Sequence, residues 1–151
     1  MRKTVFVAVT ALLLGSMACV RNRSGSKNEK SMNVIELNAA EFRKQVYDYE
    51  KNPDVWKYEG RLPAAIDFYA TWCGPCRTMA PVMETLAGEY AGRIVVYKID
   101  VDKEQRLAGL FGVRSIPTFL FIPKEGQPQQ VAGAMDSAQM RKIIDDLLRG
   151  M

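Results

Sequence analysis

The sequence predicts an α/β protein with a central mixed β-sheet flanked by helices, in the order βαβαβαββα. Apolar or β-branched segments of strand length alternate with segments whose apolar residues recur at helical spacing, and turn residues separate them. Residues of helix-capping type mark three helix starts, at Asn38, Asp102 and Asp136. The alternation predicts parallel strands joined by helical crossovers, and the turn at 123–126 predicts a closing hairpin.

The individual elements follow from local patterns. The first helix is expected to continue to Glu50, because Phe42, Val46 and Tyr49 share one face. The loop at 51–63 is expected to be held against the domain by its aromatic side chains. The predicted strands cover residues 33–37, 64–70, 93–100, 116–122 and 127–132, and the predicted helices cover residues 38–50, 77–90, 102–111 and 136–148.

The pair Cys73 and Cys76 lies where the apolar strand 64–70 meets the helix that follows. A Cys-x-x-Cys pair at a strand-to-helix junction is typical of redox sites, because the first thiol then lies at a helix N-terminus. Unpaired backbone N–H groups and the positive end of the helix dipole stabilise a thiolate there. Since the thiolate is the form that attacks a disulfide, the pair predicts thiol–disulfide exchange.

Two other roles for this pair fit the sequence less well. A structural zinc site usually takes four ligands, whereas the chain has no histidine and a single further cysteine, Cys19. A purely structural disulfide across so short a loop constrains little of the unfolded chain. We therefore expect a redox-active disulfide with no metal and no other cofactor.

The residues around the pair resemble the thioredoxin family. The stretch DFYATWCGPC, from Asp67 to Cys76, resembles the active-site segment of that family almost residue for residue. Other matching segments follow in the family's order and at its spacing: Pro81, KIDVD at 98–102, GVRSIPT at 112–118 and VAGA at 131–134. The resemblance covers about residues 34–149. It implies the thioredoxin fold and the activity of a protein-disulfide reductase.

The resemblance also implies roles for residues in the site. Cys73, expected to be the more exposed cysteine, attacks the substrate, and Cys76 resolves the mixed disulfide. Asp67 accepts the proton of the resolving cysteine, and Lys98 tunes both groups. An ionised carboxylate in an apolar strand is costly, so we expect a raised pKa at Asp67.

A flat apolar surface that binds substrate is implied around the disulfide. Pro117 is expected to have a cis peptide bond and to face the cysteines, which leaves the Ile116 backbone free to pair with an extended substrate segment. Gly112 and Gly133 belong to this surface in the family, although ordinary turns also explain them. The other members are Trp72, Gly74, Pro75 and Ala134.

The residues between the cysteines bear on the direction of the reaction. Relatives that oxidise or isomerise disulfides commonly carry a histidine there, whose charge stabilises the thiolate and hence the reduced form. Gly74 and Pro75 supply no such charge, so the disulfide is more stable and the enzyme more reducing. The alternatives are a disulfide oxidase or isomerase, a dedicated reductant of apocytochrome thiols, and a binding role without redox chemistry.

The N-terminal segment is predicted to be an export signal, because two basic residues, an apolar run of about ten residues and small residues precede Cys19 in that order. A type I signal peptidase would cut after Ala18 and leave a free thiol. A bacterial lipoprotein would instead carry lipid on Cys19. Ser16 stands where lipoprotein signals usually have an aliphatic residue, but a free thiol is a liability in an exported protein, which favours the lipid.

The predicted organisation is a signal at residues 1–18, a flexible polar tether at 19–33 and a thioredoxin domain at 34–151. The net charge of +4 arises from residues 1–33, which carry +5, while the remainder carries −1. Nucleic acid is therefore not an expected partner.

We expect a monomer in the periplasm that is tethered to the membrane by lipid. We expect disulfide-containing protein substrates and electrons from a membrane-borne or exported thiol donor.

Overall fold

The computed structural model describes residues 34–150, which form five strands and four helices. Their order confirms the predicted α/β class. In chain order they are β1 (Ile35–Glu36), α1 (Ala39–Gln45), β2 (Ala64–Tyr69), α2 (Gly74–Glu89), β3 (Val95–Asp100), α3 (Gln105–Leu110), β4 (Thr118–Ile122), β5 (Gln129–Ala132) and α4 (Ser137–Arg149).

The strands form one mixed sheet in the order β1-β3-β2-β4-β5. Strands β1 and β2 run parallel to β3 on its two sides, and Lys98 of β3 lies opposite both Glu36 and Asp67. Strand β4 is antiparallel to β2, and β5 is antiparallel to β4. β2 is therefore the central strand, and its first five residues are buried, as expected for a strand covered on both faces.

Two apolar layers cover the two faces of the sheet. On one face, α2 and α4 pack against β4 through residues such as Met83, Ile144 and Phe121. On the other face, α1 and α3 contribute Phe42 and Leu107 to a second cluster. Because side chains alternate along a strand, Asp67 lies on the α2 and α4 face, between the apolar residues of that layer.

Strand β4 departs from the predicted arrangement, in which a helical crossover makes it parallel to its neighbours. It runs antiparallel to β2, with Thr118 opposite Phe68. Helix α3 has 6 residues, so it spans about 9 Å, less than half of the roughly 20 Å of a six-residue strand. The segment after the helix does not return along the sheet either: Thr118, the first residue of β4, lies opposite Phe68 near the end of β2. The chain enters β4 at the end of the sheet where β2 and β3 also end.

Helix α1 ends at Gln45, before the predicted end at Glu50. The Val46 carbonyl accepts a hydrogen bond of 2.9 Å from the Glu59 N–H, so it pairs with the following loop. The buried Tyr47 ring lies 4.6 Å from the ring of Trp56, measured between centroids. This aromatic packing confirms that the loop is held against the domain, and it competes with continuation of the helix.

The first testable prediction concerns the apolar layer under α2 and α4. Phe121 on β4 is fully buried, so Phe121→Ala should lower the free energy of unfolding by about 3–5 kcal/mol. Val55 is 66% exposed, and Val55→Ala should change it by less than about 0.5 kcal/mol. Denaturant unfolding of the oxidised proteins measures both. Equal losses in the two variants would contradict the assigned core.

Candidate active site

The site is built on the junction between β2 and α2. Cys73 is the N-cap of α2, with extended backbone angles, and the Cys76 N–H donates a hydrogen bond to Cys73 Sγ at 3.1 Å. The helix begins at Gly74, earlier than the predicted start at Arg77. Pro75 is compatible with this start, because the N–H groups of the first helical turn have no intrahelical partner. A thiolate at Cys73 would therefore face backbone donors and the positive end of the helix dipole.

Cys73 and Cys76 form a disulfide, with an Sγ–Sγ distance of 2.07 Å and a Cα–Cα distance of 5.3 Å. Both residues are 3% exposed, so the expectation that Cys73 is the more exposed is wrong for this oxidised form. The reason is local packing: Ala70, Val101 and Ile116 form a cluster with the two cysteines. In the oxidised form, access to Cys73 therefore depends on the residues of this cluster.

The chain between α3 and β4 brings a second segment to the cysteines. The Ile116–Pro117 peptide bond is cis, as the resemblance implies, and Ile116 packs against the cysteine cluster. The Gly133 N–H donates a hydrogen bond to the Pro117 carbonyl at 2.8 Å. Gly133 has a φ of 96°, a backbone conformation that favours glycine. The turn that holds the Pro117 segment therefore explains why a glycine occupies position 133.

A groove of about 360 Å³ lies beside this segment, lined by Trp72, Val101, Val113, Arg114, Ser115 and Ile116. Of the residues predicted to bind substrate, Trp72 and Ile116 line this groove. Gly74 and Pro75 lie in the first turn of α2, and Pro117 is buried. Gly112 and Ala134 do not line it.

Trp72 is held in place by Asp102. The indole is 66% exposed, yet its Nε1–H donates a hydrogen bond to Asp102 Oδ2 at 2.8 Å. The prediction that Asp102 caps α3 is wrong, because the cap position is Glu104 and no side chain caps that helix. Asp102 follows β3 at the end of the sheet where β2 also ends, so its carboxylate reaches the tryptophan that follows β2.

The predicted pair of Asp67 and Lys98 is brought together by the register of β2 and β3. Asp67 is 5% exposed, and its Oδ1 has no hydrogen-bond partner among residues 34–150. Burial raises the pKa of Asp67 to about 7, while the charge of Lys98 works in the opposite direction. The Lys98 ammonium lies 3.6 Å from Glu36 Oε2 and 5.5 Å from the centre of the Tyr69 ring.

Comparison with known proteins identifies the family. A profile of the family described as "Thioredoxin" matches residues 33–146. The chain belongs to the thioredoxin family. It is 44% identical over 113 residues to the thioredoxin of Borreliella burgdorferi, covering 75% of this chain and 96% of that protein. It is 40% identical over 113 residues to the thioredoxin of Haemophilus influenzae, covering 74% of this chain and 94% of that one.

Solved thioredoxin structures share the fold. Chloroplastic thioredoxin z superposes with a TM-score of 0.64 at 28% identity, covering 78% of this chain and 96% of that one. A mutant thioredoxin from Halobacterium salinarum superposes with a TM-score of 0.61 at 30% identity, covering 78% of this chain and 92% of that one. The mixed sheet with flanking helices is therefore the thioredoxin fold.

Family membership and the Cys73–Cys76 disulfide make this protein a protein-disulfide oxidoreductase of the thioredoxin type, which acts on disulfide-containing proteins. Its redox group is that disulfide, and thioredoxins need no further cofactor. Within residues 34–150, no cluster of His, Cys, Asp and Glu could hold a metal ion. In the same range, no helix combines the length and the apolar character needed to span a bilayer.

Sequence reasoning missed several residues of this thioredoxin site. Val101, Val113 and Arg114 line the groove, and Glu36 binds Lys98. Glu36 carries a readable signal, because it is a charged residue between the apolar Ile35 and Leu37 of a predicted strand. The groove residues lie in segments that resemble the family, KIDVD and GVRSIPT, but no local pattern marks them as neighbours in a groove. Their proximity depends on how β3 and the segment before β4 meet.

The second testable prediction concerns the buried carboxyl group of Asp67. Its pKa is about 7 in the folded thioredoxin and lower when unfolded. Between these values the folded state binds more protons, so the unfolding free energy of the wild type falls as pH rises from about 4 to 7. Asp67→Asn cannot ionise. Relative to the wild type, it should gain several kcal/mol, up to about 4, between pH 4 and pH 8.

Denaturant unfolding of the oxidised proteins across this pH range measures the effect. Thr78→Asn, on the exposed surface of α2, is the control, and it should keep the wild-type pH dependence because no titratable group changes. If Asp67→Asn followed the wild-type curve as well, the assigned ionisation of Asp67 would be wrong.

Proposed function

We propose that this thioredoxin is exported and reduces protein disulfides in the periplasm, held at the membrane by lipid on Cys19. The observation that carries the proposal is the order of segments before the domain: two basic residues, an apolar run, small residues, Cys19, and a polar stretch at 20–33. These residues lie outside the described part of the chain, so the proposal rests on their sequence. The stretch at 20–33 would separate the domain from the membrane surface.

The proposed reduction proceeds in two exchanges. The Cys73 thiolate attacks one sulfur of a substrate disulfide, which forms a mixed disulfide and releases the other substrate sulfur as a thiolate. The Cys76 thiolate then attacks Cys73 Sγ, which releases the second substrate sulfur and closes the Cys73–Cys76 disulfide. Two electrons pass from the enzyme to the substrate, and an exported or membrane-borne thiol donor must return them.

Asp67 is proposed as the acceptor of the Cys76 proton. A group that accepts a proton near neutral pH needs a pKa close to 7, which burial provides for Asp67. Its unpartnered Oδ1 is free of competing hydrogen bonds from residues 34–150. Lys98 limits the shift by favouring the ionised form, and so tunes both the carboxyl group and the cysteine that it serves.

An extended segment of the substrate is proposed to bind along the groove beside the disulfide. The Ile116 backbone would pair with this segment, and Trp72 would cover one side of it. Gly74, Pro75 and the Pro117–Gly133 contact would shape the surface around the sulfur atoms. The protein is proposed to act as a monomer, because a single chain supplies all of these residues.

The third testable prediction is the reduction potential of the Cys73–Cys76 couple. Since neither Gly74 nor Pro75 carries a charge that stabilises the thiolate, the potential should lie near the thioredoxin value of about −270 mV. Equilibration against glutathione and dithiothreitol buffers measures it. A value of about −180 to −120 mV would overturn the reductase and indicate a disulfide oxidase or isomerase.

Variants of Pro75 provide the matched control. Pro75→His places a titratable charge next to the thiolate, so its potential should become less negative than that of Pro75→Ser by about 30 mV or more. Equal potentials in the two variants would contradict the electrostatic explanation for the direction of the reaction.

The fourth testable prediction concerns the proposed lipid on Cys19. When the full chain is produced in a bacterium with a lipoprotein pathway, it should incorporate labelled palmitate and sediment with membranes. Cys19→Ser should abolish both, because the modified thiol is lost, whereas Cys73→Ser should keep both. A wild-type protein that is unlabelled and begins at Cys19 would overturn the lipid, and a protein retained in the cytoplasm would overturn export.

A further inference from the structure

Three charged residues form a row across the sheet beside the active site. Glu36 on the edge strand β1 lies opposite Lys98 on β3, and Lys98 lies opposite Asp67 on β2. Because the three residues occupy matching register positions, their side chains share one face. Exposure falls along the row: the Glu36 side chain is 43% exposed and that of Lys98 36%, while Asp67 is 5% exposed. The row therefore leads from solvent to the buried carboxyl group.

The Lys98 ammonium is bound towards the edge of the sheet. Its Nζ lies 3.6 Å from Glu36 Oε2, and the Tyr69 ring lies beside it at 5.5 Å. No cationic nitrogen of residues 34–150 lies within 4.0 Å of an Asp67 oxygen. A flexible lysine between two carboxylates has thus paired with the more solvated one, which avoids removing the ammonium from water.

Glu36 is itself fixed by a second lysine. Lys103 Nζ lies 3.2 Å from Glu36 Oε1 and 3.4 Å from Asp100 Oδ2. The hydrogen bond from Lys103 holds the pKa of Glu36 below its usual range, so this group is ionised at neutral pH. Each Glu36 oxygen therefore contacts a different ammonium, and the carboxylate stays where it can bind Lys98.

We propose that Glu36 is a positioning residue of this active site: its carboxylate binds the Lys98 ammonium at the edge of the sheet and withholds it from Asp67. The functional part of this inference rests on the proposed role of Asp67 as a proton acceptor. Glu36 touches neither the cysteines nor the groove, and it acts through Lys98. Its effect is to keep the buried carboxyl group protonated up to a higher pH.

The expected direction follows from two changes that have the same sign. Removing the Glu36 charge frees the Lys98 ammonium to approach Asp67, which favours the ionised carboxylate. It also removes a negative charge from the row, which favours the same form. Both changes lower the pKa of Asp67. If Glu36 instead held the ammonium close to Asp67, its removal would raise that pKa, so the sign of the change tests the proposal.

Other charges around Asp67 are engaged elsewhere. Strand β4 places the apolar Phe119 opposite Asp67. Helices α2 and α4 cover the same face, and their charged residues bind partners other than Asp67. Glu84 accepts a hydrogen bond from the Val34 N–H, Arg77 donates one to the Thr71 carbonyl, and Asp145 accepts one from the Tyr90 hydroxyl. Glu89 pairs with Arg141, and Asp146 pairs with Lys142 and Arg149. Among the charged neighbours in the described part of the chain, Lys98 is the one that lowers the pKa of Asp67.

The test is a carbon-13 NMR titration of the Asp67 side-chain carboxyl in the full chain with the disulfide closed, so that no active-site thiol titrates. Glu36→Gln should lower the Asp67 pKa by roughly half a unit or more, about a threefold change in proton affinity. Glu84→Gln is the matched control, because it also removes a carboxylate near β1. Glu84 binds the Val34 N–H rather than Lys98, so this variant should leave the Asp67 pKa nearly unchanged. An unchanged or higher Asp67 pKa in Glu36→Gln would overturn the proposal.

A double-mutant cycle shows whether Glu36 acts through Lys98. In a Lys98→Gln background, Glu36→Gln should lower the Asp67 pKa by less than half as much as in the wild type. An equal effect in both backgrounds would mean that Glu36 acts only as a distant charge, and positioning would be rejected.

The rate of insulin disulfide reduction against pH separates this inference from the proposed role of Asp67. If both hold, the acidic limb of the rate profile moves to lower pH in Glu36→Gln, by the shift seen in the titration. A shifted Asp67 pKa with an unmoved rate profile would support Glu36 as a positioning group and overturn Asp67 as the proton acceptor.

Discussion

The rest of the active site depends on the pairing of β2 in the centre of the sheet. Hydrogen bonding to β3 and β4 on its two sides buries the strand and determines where it ends. The chain leaves it at Tyr69 and enters α2 at Gly74, so Cys73 becomes the cap of a helix that is packed on the same sheet. The reactive sulfur therefore lies at a junction between two buried elements. Its donor, the Cys76 N–H, is placed by the helix itself.

The same central strand places a carboxyl group in an apolar layer. With a pKa of about 7, Asp67 is partly ionised at neutral pH, and that charge opposes folding. The surrounding aromatic and aliphatic layers must offset this cost. Burial thus gives Asp67 a pKa suited to the proton transfer proposed for it, at the cost of some folding free energy. The charged residues of β1 and β3 determine how large that cost is.

The capping boxes at Asn38 and Asp136 were predictable, because each depends on residues three positions apart, and both form in the structure. The third capping assignment, at Asp102, failed because a tryptophan thirty positions earlier competes for that carboxylate. The predicted end of α1 was wrong for a similar reason. The aromatic residues of the following loop provide packing partners that a local sequence pattern does not reveal. Local signals identified these elements, and long-range contacts decided where some of them begin and end.

By itself, the sequence determined the element order, the redox pair and the presence of a costly carboxyl group in a buried strand, because each depends on residues close together in the chain. The tertiary structure alone decided the antiparallel direction of β4, the groove beside Ile116 and the place of Glu36 next to Lys98 in the row that leads to Asp67. The row joins residues on three strands, and sheet register, rather than spacing along the chain, places them side by side. A charged residue on one strand can therefore change the pKa of a carboxyl group on another strand only after the sheet has formed.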